Sequence, residues 1–248
     1  MNLDRVIAVR NTKTVYRDGD RCIKVFDASY AKEDVLHEAL NQARIEQTGL
    51  HIPKILEVTM IDGKWAIVSE YIKGKTLDRL IQEQPEQKAE FLNLFVDLQI
   101  QMHSQTCPML DQLTDKMHSK IRQASLDATT RYDLHMRLDQ MPKHNKVCHG
   151  DFNFSNIVIA EDGIPYILDW SHATQGNASA DAARTYLLFW LKGDISGANE
   201  YLESFCSKSN TAKQYVQKWM PIVATSQSVK GNHKEREFLL SWVNVVSW

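Results

Sequence analysis

The segment from His149 to Trp170 reads HGDFNFSNIVIAEDGIPYILDW and carries three oxygen-bearing side chains whose order suggests a shared task. Asp151 and Asn156 stand at the entry to one apolar run, Asn156 to Ile159, and Asp169 follows a second, Ile164 to Leu168. The β-branched content of both runs, with Ala160-Glu161-Asp162-Gly163 between them, predicts a β-hairpin. An antiparallel hairpin returns its second strand to the place where the first began. It therefore gathers two carboxylates and a carboxamide at one end. Hard divalent cations take such oxygen donors, and a cation held there can bridge to a phosphate chain. Asp-Gly and Asn are also ordinary turn residues, and each of the three taken singly reads as structure. It is their combination that points to a shared site.

The elements that position these groups extend the pattern. H-G-D-x-x-x-x-N, then a hairpin, then Ile167-Leu168-Asp169-Trp170, resembles the catalytic core of the kinase-like phosphotransferases, specifically the aminoglycoside phosphotransferase and choline kinase group. The resemblance implies that Asp151 is the catalytic-loop aspartate, Asn156 the second metal ligand and Asp169 the metal-binding aspartate. His149 would brace the loop that aims Asp151, although its ordinary pKa also suits a general base. Protein kinases carry Arg where Gly150 stands and Asp-Phe-Gly where Asp169-Trp170-Ser171 stands. Those departures point to the small-molecule branch.

Composition sets the outer bounds. A chain of 248 residues, 43% hydrophobic and 24% charged, has the make-up of a globular protein with one large or two modest cores. A formal charge of -2 supplies no general attraction for nucleic acid or an anionic membrane. Cys22, Cys107, Cys148 and Cys206 have neither zinc-site spacing nor the density of a disulfide framework, and Cys148 reads as a small buried hydrophobe. The N-terminus has no signal-peptide core, and the apolar run Tyr186 to Leu191 is far too short to cross a bilayer. Cytoplasmic residence, with neither nucleic-acid nor membrane partners, is the expectation.

In the first part of the chain Arg5 to Val9, Arg21 to Phe26, Pro53 to Val58 and Trp65 to Tyr71 read as strands, with turns at Asp18-Gly19 and Asp62-Gly63. Asp34 to Thr48 has helical periodicity, with a stripe of Val35, Leu36, Ala39, Leu40 and Ala43. Lys24 shares a strand face with Cys22 and Phe26, where a lysine is ordinarily a solvent-facing residue. Glu38 borders the helix stripe and can reach that face. The resemblance turns these two into the strand lysine and helix glutamate that position nucleotide phosphates. The glycine-rich loop of protein kinases is missing: Asn11-Thr12-Lys13-Thr14-Val15-Tyr16 holds no glycine, leaving Thr12 and Thr14 hydroxyls or backbone amides to donate. The change of composition after Ile72 marks a lobe boundary. In the resembled fold it is the hinge, where backbone groups of Glu70, Tyr71 and Ile72 meet the adenine edge.

Beyond it, Glu86 to Met102 is helical with an apolar face of Phe91, Leu94, Phe95, Leu98 and Met102. Leu110 to Asp139, with Lys116, Lys120, Arg122, Arg131 and Arg137, reads as a solvated helical surface. Thr174 to Asn177 reads as a loop and Ala178 to Leu191 as a helix, with Asp181 in its first turn, where a carboxylate suits the positive end. The resemblance makes Asp181 the structural aspartate tying this helix to the catalytic loop. The short run from Trp170 to Asp181 leaves no room for a peptide-cradling activation segment. Tyr201 to Phe205, Tyr215 to Val223 and Glu237 to Val246 supply closing helices, punctuated by Pro221 and Gly231-Asn232, and the chain ends on Trp242 and Trp248.

The expected fold is α+β and two-lobed, protein-kinase-like. Residues 1–72 would form a small antiparallel sheet plus helix that binds nucleotide, and 73–248 a larger, mainly helical catalytic and acceptor-binding lobe. The expected activity is transfer of the γ-phosphoryl group of ATP, or another nucleoside triphosphate, with Mg²⁺, to a hydroxyl of an amino-alcohol, sugar or aminoglycoside-like molecule. An amine-bearing acceptor would look for acids such as Asp111, Asp115, Asp127, Asp133, Asp139, Glu200 or Glu203. The alternatives are a noncatalytic nucleotide-binding or interaction protein on the same scaffold and, further off, a protein kinase.

Overall fold

Alternating residues build the sheet at the start of the chain. The computed structural model describes residues 3, 5–10, 12–230 and 232–244; Asn11, Gly231, Val246 and Trp248, invoked above, lie outside them. The strands β1 (Val6–Val9), β2 (Lys13–Asp18), β3 (Arg21–Phe26), β4 (Ile55–Ile61) and β5 (Lys64–Glu70) form an antiparallel sheet in the order β1-β2-β3-β5-β4. Asp62 and Gly63 both take positive φ, 49° and 75°, in the two-residue β4–β5 turn, the conformation whose twist matches paired strands. On one face Ile23, Val25, Ala66 and Val68 form a buried cluster; on the other Phe26 and Ile67 pack with Val35 and Ala39 of helix α1 (Lys32–Ile45).

That helix is rotated from the face its leucines advertise. Val35, Glu38, Ala39, Gln42 and Ile45 are buried, whereas Leu36 and Leu40 are 44% and 46% exposed. The inward polar residues have partners that no helical pattern reveals. Glu38 meets two lysines, and Gln42 Nε2 donates to the Pro53 carbonyl at 2.7 Å, which offsets the cost of burying these two side chains.

A short strand β6 (Gly74–Thr76) leads into α2 (Leu77–Glu83), whose first turn is capped by the Thr76 hydroxyl accepting from Arg79 N–H. Four further short strands follow later in the chain: β7 (Lys146–Cys148), β8 (Ile157–Ala160), β9 (Pro165–Ile167) and β10 (Thr174–Gly176). The expected hairpin is β8–β9, with Gly163 at φ 84° in its turn. It joins β6 in a three-stranded sheet ordered β6-β8-β9, while β7 pairs with β10, where a loop was expected.

Packing divides the chain into two units, Met1–Glu86 with Phe154–Ala173, and Gln87–Asn153 with Thr174–Trp248. By packing, β6, α2 and the β8–β9 hairpin belong with the first unit, the hairpin because β8 bonds to β6. The second unit is helical: α3 (Lys88–His103), α4 (Leu113–Gln123), α5 (Ala128–Gln140), α6 (Ala178–Leu191), α7 (Ile195–Ser209), α8 (Lys213–Gln217), α9 (Met220–Ser228) and α10 (His233–Ser241). The helix read from Tyr215 to Val223 is two, with Pro221 in the first turn of α9, where a missing N–H costs nothing. Phe95, Phe152, Phe189, Tyr201 and Phe205 form an aromatic core, with Phe95 and Phe152 centroids 4.5 Å apart. On α3 the buried stripe includes Leu92 and Val96, with Phe91 and Leu94 only half-buried. Buried Gln99 is satisfied, donating to Thr185 Oγ1 at 3.1 Å and accepting from the Tyr201 hydroxyl at 2.6 Å.

Candidate active site

Within the first unit, a cavity of about 420 Å³ has Lys13, Lys24, Glu70, Ile72, Asn156 and Asp169 among its lining residues. The hairpin brings Asn156 and Asp169 together as expected. The Leu168 N–H donates to the Asn156 carbonyl at 2.8 Å, so Asp169 emerges beside Asn156 as β9 ends. Asp169 itself is left-handed, at φ 58° and ψ 68°, a conformation that costs a non-glycine residue on the order of 1 kcal/mol. The turn there aims the carboxylate into the cavity.

Lys24 Nζ bonds to Glu38 Oε1 and lies 3.5 Å from Asp169 Oδ1. Burial alone would pull the Lys24 pKa down, but Asp169 and Glu38 together raise it above its usual value. The lysine is therefore held as a cation. Lys13, not singled out from the sequence, joins the same cluster at 3.3 Å from both Glu38 oxygens and 3.8 Å from Asp169 Oδ2. Burial and the neighbouring Lys24 charge lower its pKa. The signal was available in the β2–β3 register: Lys13 lies opposite Phe26, and Val15 opposite Lys24, so Lys13 shares Lys24's face. Thr14 points to the other face, and neither it nor Thr12 lines the cavity, so the hydroxyl donors expected there are absent from its wall. In the segment Glu70 to Ile72, the Glu70 and Tyr71 amides already donate to the Lys54 and Asp20 carbonyls at 3.0 and 2.9 Å.

The second unit assembles the other expected residues. Asp181, in the first turn of α6, is 3% exposed. Its Oδ1 accepts from Gly150 N–H at 2.7 Å; its Oδ2 accepts from His149 N–H at 3.2 Å and from His103 Nε2 at 3.0 Å. Burial pushes this carboxyl up, but the bonds from His103 and Gly150 outweigh it and hold the pKa below the usual carboxylate value. Gly150 takes φ 77°, a left-handed turn that glycine adopts freely. Asp151 then donates its N–H to His149 Nδ1 at 3.2 Å, so the imidazole braces the loop through its acceptor nitrogen. The Asp151 carboxylate accepts from Asn153 Nδ2 at 3.3 Å and has Arg184 Nη2 3.7 Å from Oδ1. Arg184 was also missed. It sits three residues after Asp181, one turn along the same face of α6, and that spacing was the available clue.

Cys148 is fully buried, with its thiol pushed far up by burial, as suits a packing residue. Along the helical surface Leu110 to Asp139, Arg122 and Arg137 are exposed while Lys116 and Lys120 are half-buried, and burial drives the Lys116 pKa down to about 8 with help from Lys230 and Lys120. Several acids considered for an amine-bearing acceptor have structural partners. Asp127 caps α5 through Thr130 N–H at 2.9 Å, Asp139 bonds His118 at 3.1 Å, Glu200 accepts from Ser196 and Glu203 faces Lys213.

Residues 6–215 match the phosphotransferase enzyme family, and the chain belongs to that family. It is a phosphotransferase by class. Solved structures give the fold. A thermostable mutant of aminoglycoside phosphotransferase APH(4)-Ia, in ternary complex with AMP-PNP and hygromycin B, is 15% identical with TM-score 0.69, covering 96% of this chain and 90% of that one. Choline kinase LicA from Streptococcus pneumoniae is 15% identical with TM-score 0.62, covering 97% and 91%. An aminoglycoside-3'-phosphotransferase of type VIII is 16% identical with TM-score 0.65, covering 91% and 92%. No protein of curated function matches the sequence. The antiparallel N-terminal sheet and larger helical part are those of the protein-kinase-like fold. Among the described residues no helix is long and apolar enough to cross a membrane.

Proposed function

We propose that this phosphotransferase uses ATP to phosphorylate a hydroxyl group of a small molecule, an amino-alcohol, a sugar or an aminoglycoside-like compound. The observation that carries the reading is the cavity in which Lys24, clamped by Glu38, shares a wall with Asn156 and Asp169. A cation held by carboxylates beside oxygen donors is what a triphosphate chain requires. The neighbour APH(4)-Ia has been solved with AMP-PNP, and LicA with AMP, which supports a nucleotide in the corresponding role here. Residues 1–72 act as the nucleotide-binding lobe and 73–248 as the catalytic and acceptor lobe. An ATP-dependent enzyme of this kind works in the cytoplasm.

The donor set fits Mg²⁺. Asn156 and Asp169 offer two oxygens and leave room for phosphate and water ligands, the arrangement this ion favours over an all-protein cage. Bound there, it would neutralise phosphate charge during transfer. Lys24 orients the phosphates. With the Glu70 and Tyr71 amides engaged elsewhere, the Ile72 N–H is the donor of this segment for the adenine edge. Asp151 accepts the proton of the acceptor hydroxyl as its oxygen bonds to the γ-phosphorus and the bond from that phosphorus to the ADP oxygen breaks. His149 fixes the Asp151 backbone, while Asn153 and Arg184 fix its carboxylate. Asp181 holds the loop itself.

The test is Asp151→Ala, with ATP binding and single-turnover transfer measured separately. The expected result is ATP affinity within about twofold of wild type and a chemical step slowed by roughly 100-fold or more. Equal single-turnover rates in the two proteins would remove Asp151 from the role of base.

A further inference from the structure

We propose that Lys13 is a second phosphate-binding lysine, which supplies by side-chain charge what a glycine-rich loop would supply by backbone amides. This rests on the nucleotide reading above and adds a specific residue to it. The β1–β2 connection is too short to fold over a phosphate chain. The Arg10 N–H donates to the Lys13 carbonyl at 2.8 Å, and in sequence only two residues separate them. Such a turn has no glycine and no length with which to present a row of amides.

The chain places a lysine at the first position of the strand leaving that turn. Lys13 and Lys24 stand on adjacent strands, on one face of the sheet, and both line the same cavity. Their side chains are equally buried, 16% and 17% exposed, and both contact the same two carboxylates, Glu38 and Asp169. The two ammoniums are matched by these two carboxylates, which holds two cations at this depth beside the cavity, and Nζ of a lysine binds phosphate as a compact point charge. Its stem packs beside Phe26, with Nζ 5.7 Å from the ring centroid, which limits the rotamers open to it. Two lysines from neighbouring strands can engage different phosphate groups of one chain, whereas neither lies on the Glu70 to Ile72 segment proposed for adenine. Their effect should therefore grow with the number of phosphates.

Calorimetric titration of AMP, ADP and ATP with Mg²⁺ into wild type, Lys13→Met and Lys13→Arg tests this, with thermal denaturation of each protein alongside. Lys13→Met is expected to weaken ATP by about tenfold or more, the loss of one charge-assisted contact, and to leave AMP within about twofold. Lys13→Arg should recover most of the ATP affinity. Should Lys13→Met fold poorly, the AMP-to-ATP affinity ratio of the arginine variant and of Lys13→Gln carries the same comparison. Unchanged ATP affinity in the methionine variant, or an equal loss for all three nucleotides, would overturn the assignment while leaving the nucleotide reading in place. Failure of wild type to bind any of the three would overturn both together.

Discussion

Replacing Asp181 by Asn tests whether a single carboxylate holds the catalytic loop. In the native protein its two oxygens accept three hydrogen bonds, from Gly150 N–H, His149 N–H and His103 Nε2. The asparagine side chain has one oxygen and one amino group. If its oxygen keeps the Gly150 bond, the amino group faces the His149 amide and the His103 ring. The ring can answer by moving its proton to Nδ1 and accepting at Nε2; the backbone amide has no such freedom. One buried N–H is then left without an acceptor, a cost of about 1–3 kcal/mol, and the surviving bonds lose their charge. Breaking a buried charged network of this kind costs roughly 3–5 kcal/mol in all. For a chain of this length that lowers Tm by about 10 °C. Differential scanning calorimetry reads it directly. Acid titration adds a sign. The folded pKa of Asp181 is depressed, so its contribution is complete above the unfolded carboxylate pKa and disappears as pH falls through the folded value. The variant should lose that part of the acid dependence. A Tm within 2 °C of wild type, with the acid limb unchanged, would refute the reasoning.

Two further perturbations follow from the same physics. Asp169→Asn preserves a residue tolerant of the left-handed backbone and removes only the charge facing Lys13 and Lys24. Turnover should fall roughly 100-fold or more with Tm little changed, and Mg²⁺ titration of nucleotide affinity should flatten; an intact Mg²⁺ response would count against Asp169 as a ligand. Lys116→Met should stabilise the protein, because the folded pKa of about 8 lies below the model-peptide 10.5 and the buried charge is penalised wherever both states are protonated. For wild type, stability then rises with pH between about 8 and 10.5, by on the order of 3 kcal/mol at most. Urea denaturation across that window should show wild type gaining stability relative to the variant as pH rises, and a lower Tm for the variant at pH 7 would contradict it.

Local pattern carried a large part of the architecture. The strand Arg21–Phe26 and the helix Ala178–Leu191 begin and end where periodicity and the residues at their ends put them, and Asp162-Gly163 turns the hairpin as expected. What pattern could not see were partners remote in sequence. Leu36 and Leu40 outbid Glu38 and Gln42 on any hydrophobicity count, yet the polar pair is buried because lysines and the Pro53 carbonyl await it. The three-residue strands β6 and β10 have no periodicity long enough to register, and each forms only because β8 and β7 offer an edge.

The same distinction runs through the site. Asp151, Asn156, Asp169 and His149 lie in one contiguous motif, and the hairpin explains the meeting of Asn156 with Asp169. Lys13 escaped notice because a lysine in a half-buried strand ordinarily faces water, and only the register against Lys24 shows otherwise. Arg184 belongs to no motif, and only its position 3.7 Å from Asp151 Oδ1 ties it to the site.

Direct detection of product tests whether the enzyme moves phosphate from ATP to a small hydroxyl compound. The protein would be incubated with Mg²⁺ and ATP carrying ¹⁸O in the γ-phosphoryl group, against a panel of amino-alcohols, sugars and aminoglycosides, with native and denatured protein mixtures in parallel. Mass spectrometry should find the labelled phosphoryl group on one class of small molecule, with none transferred by Asp151→Ala. Label appearing site-specifically on protein, with no small-molecule product under matched conditions, would contradict the account.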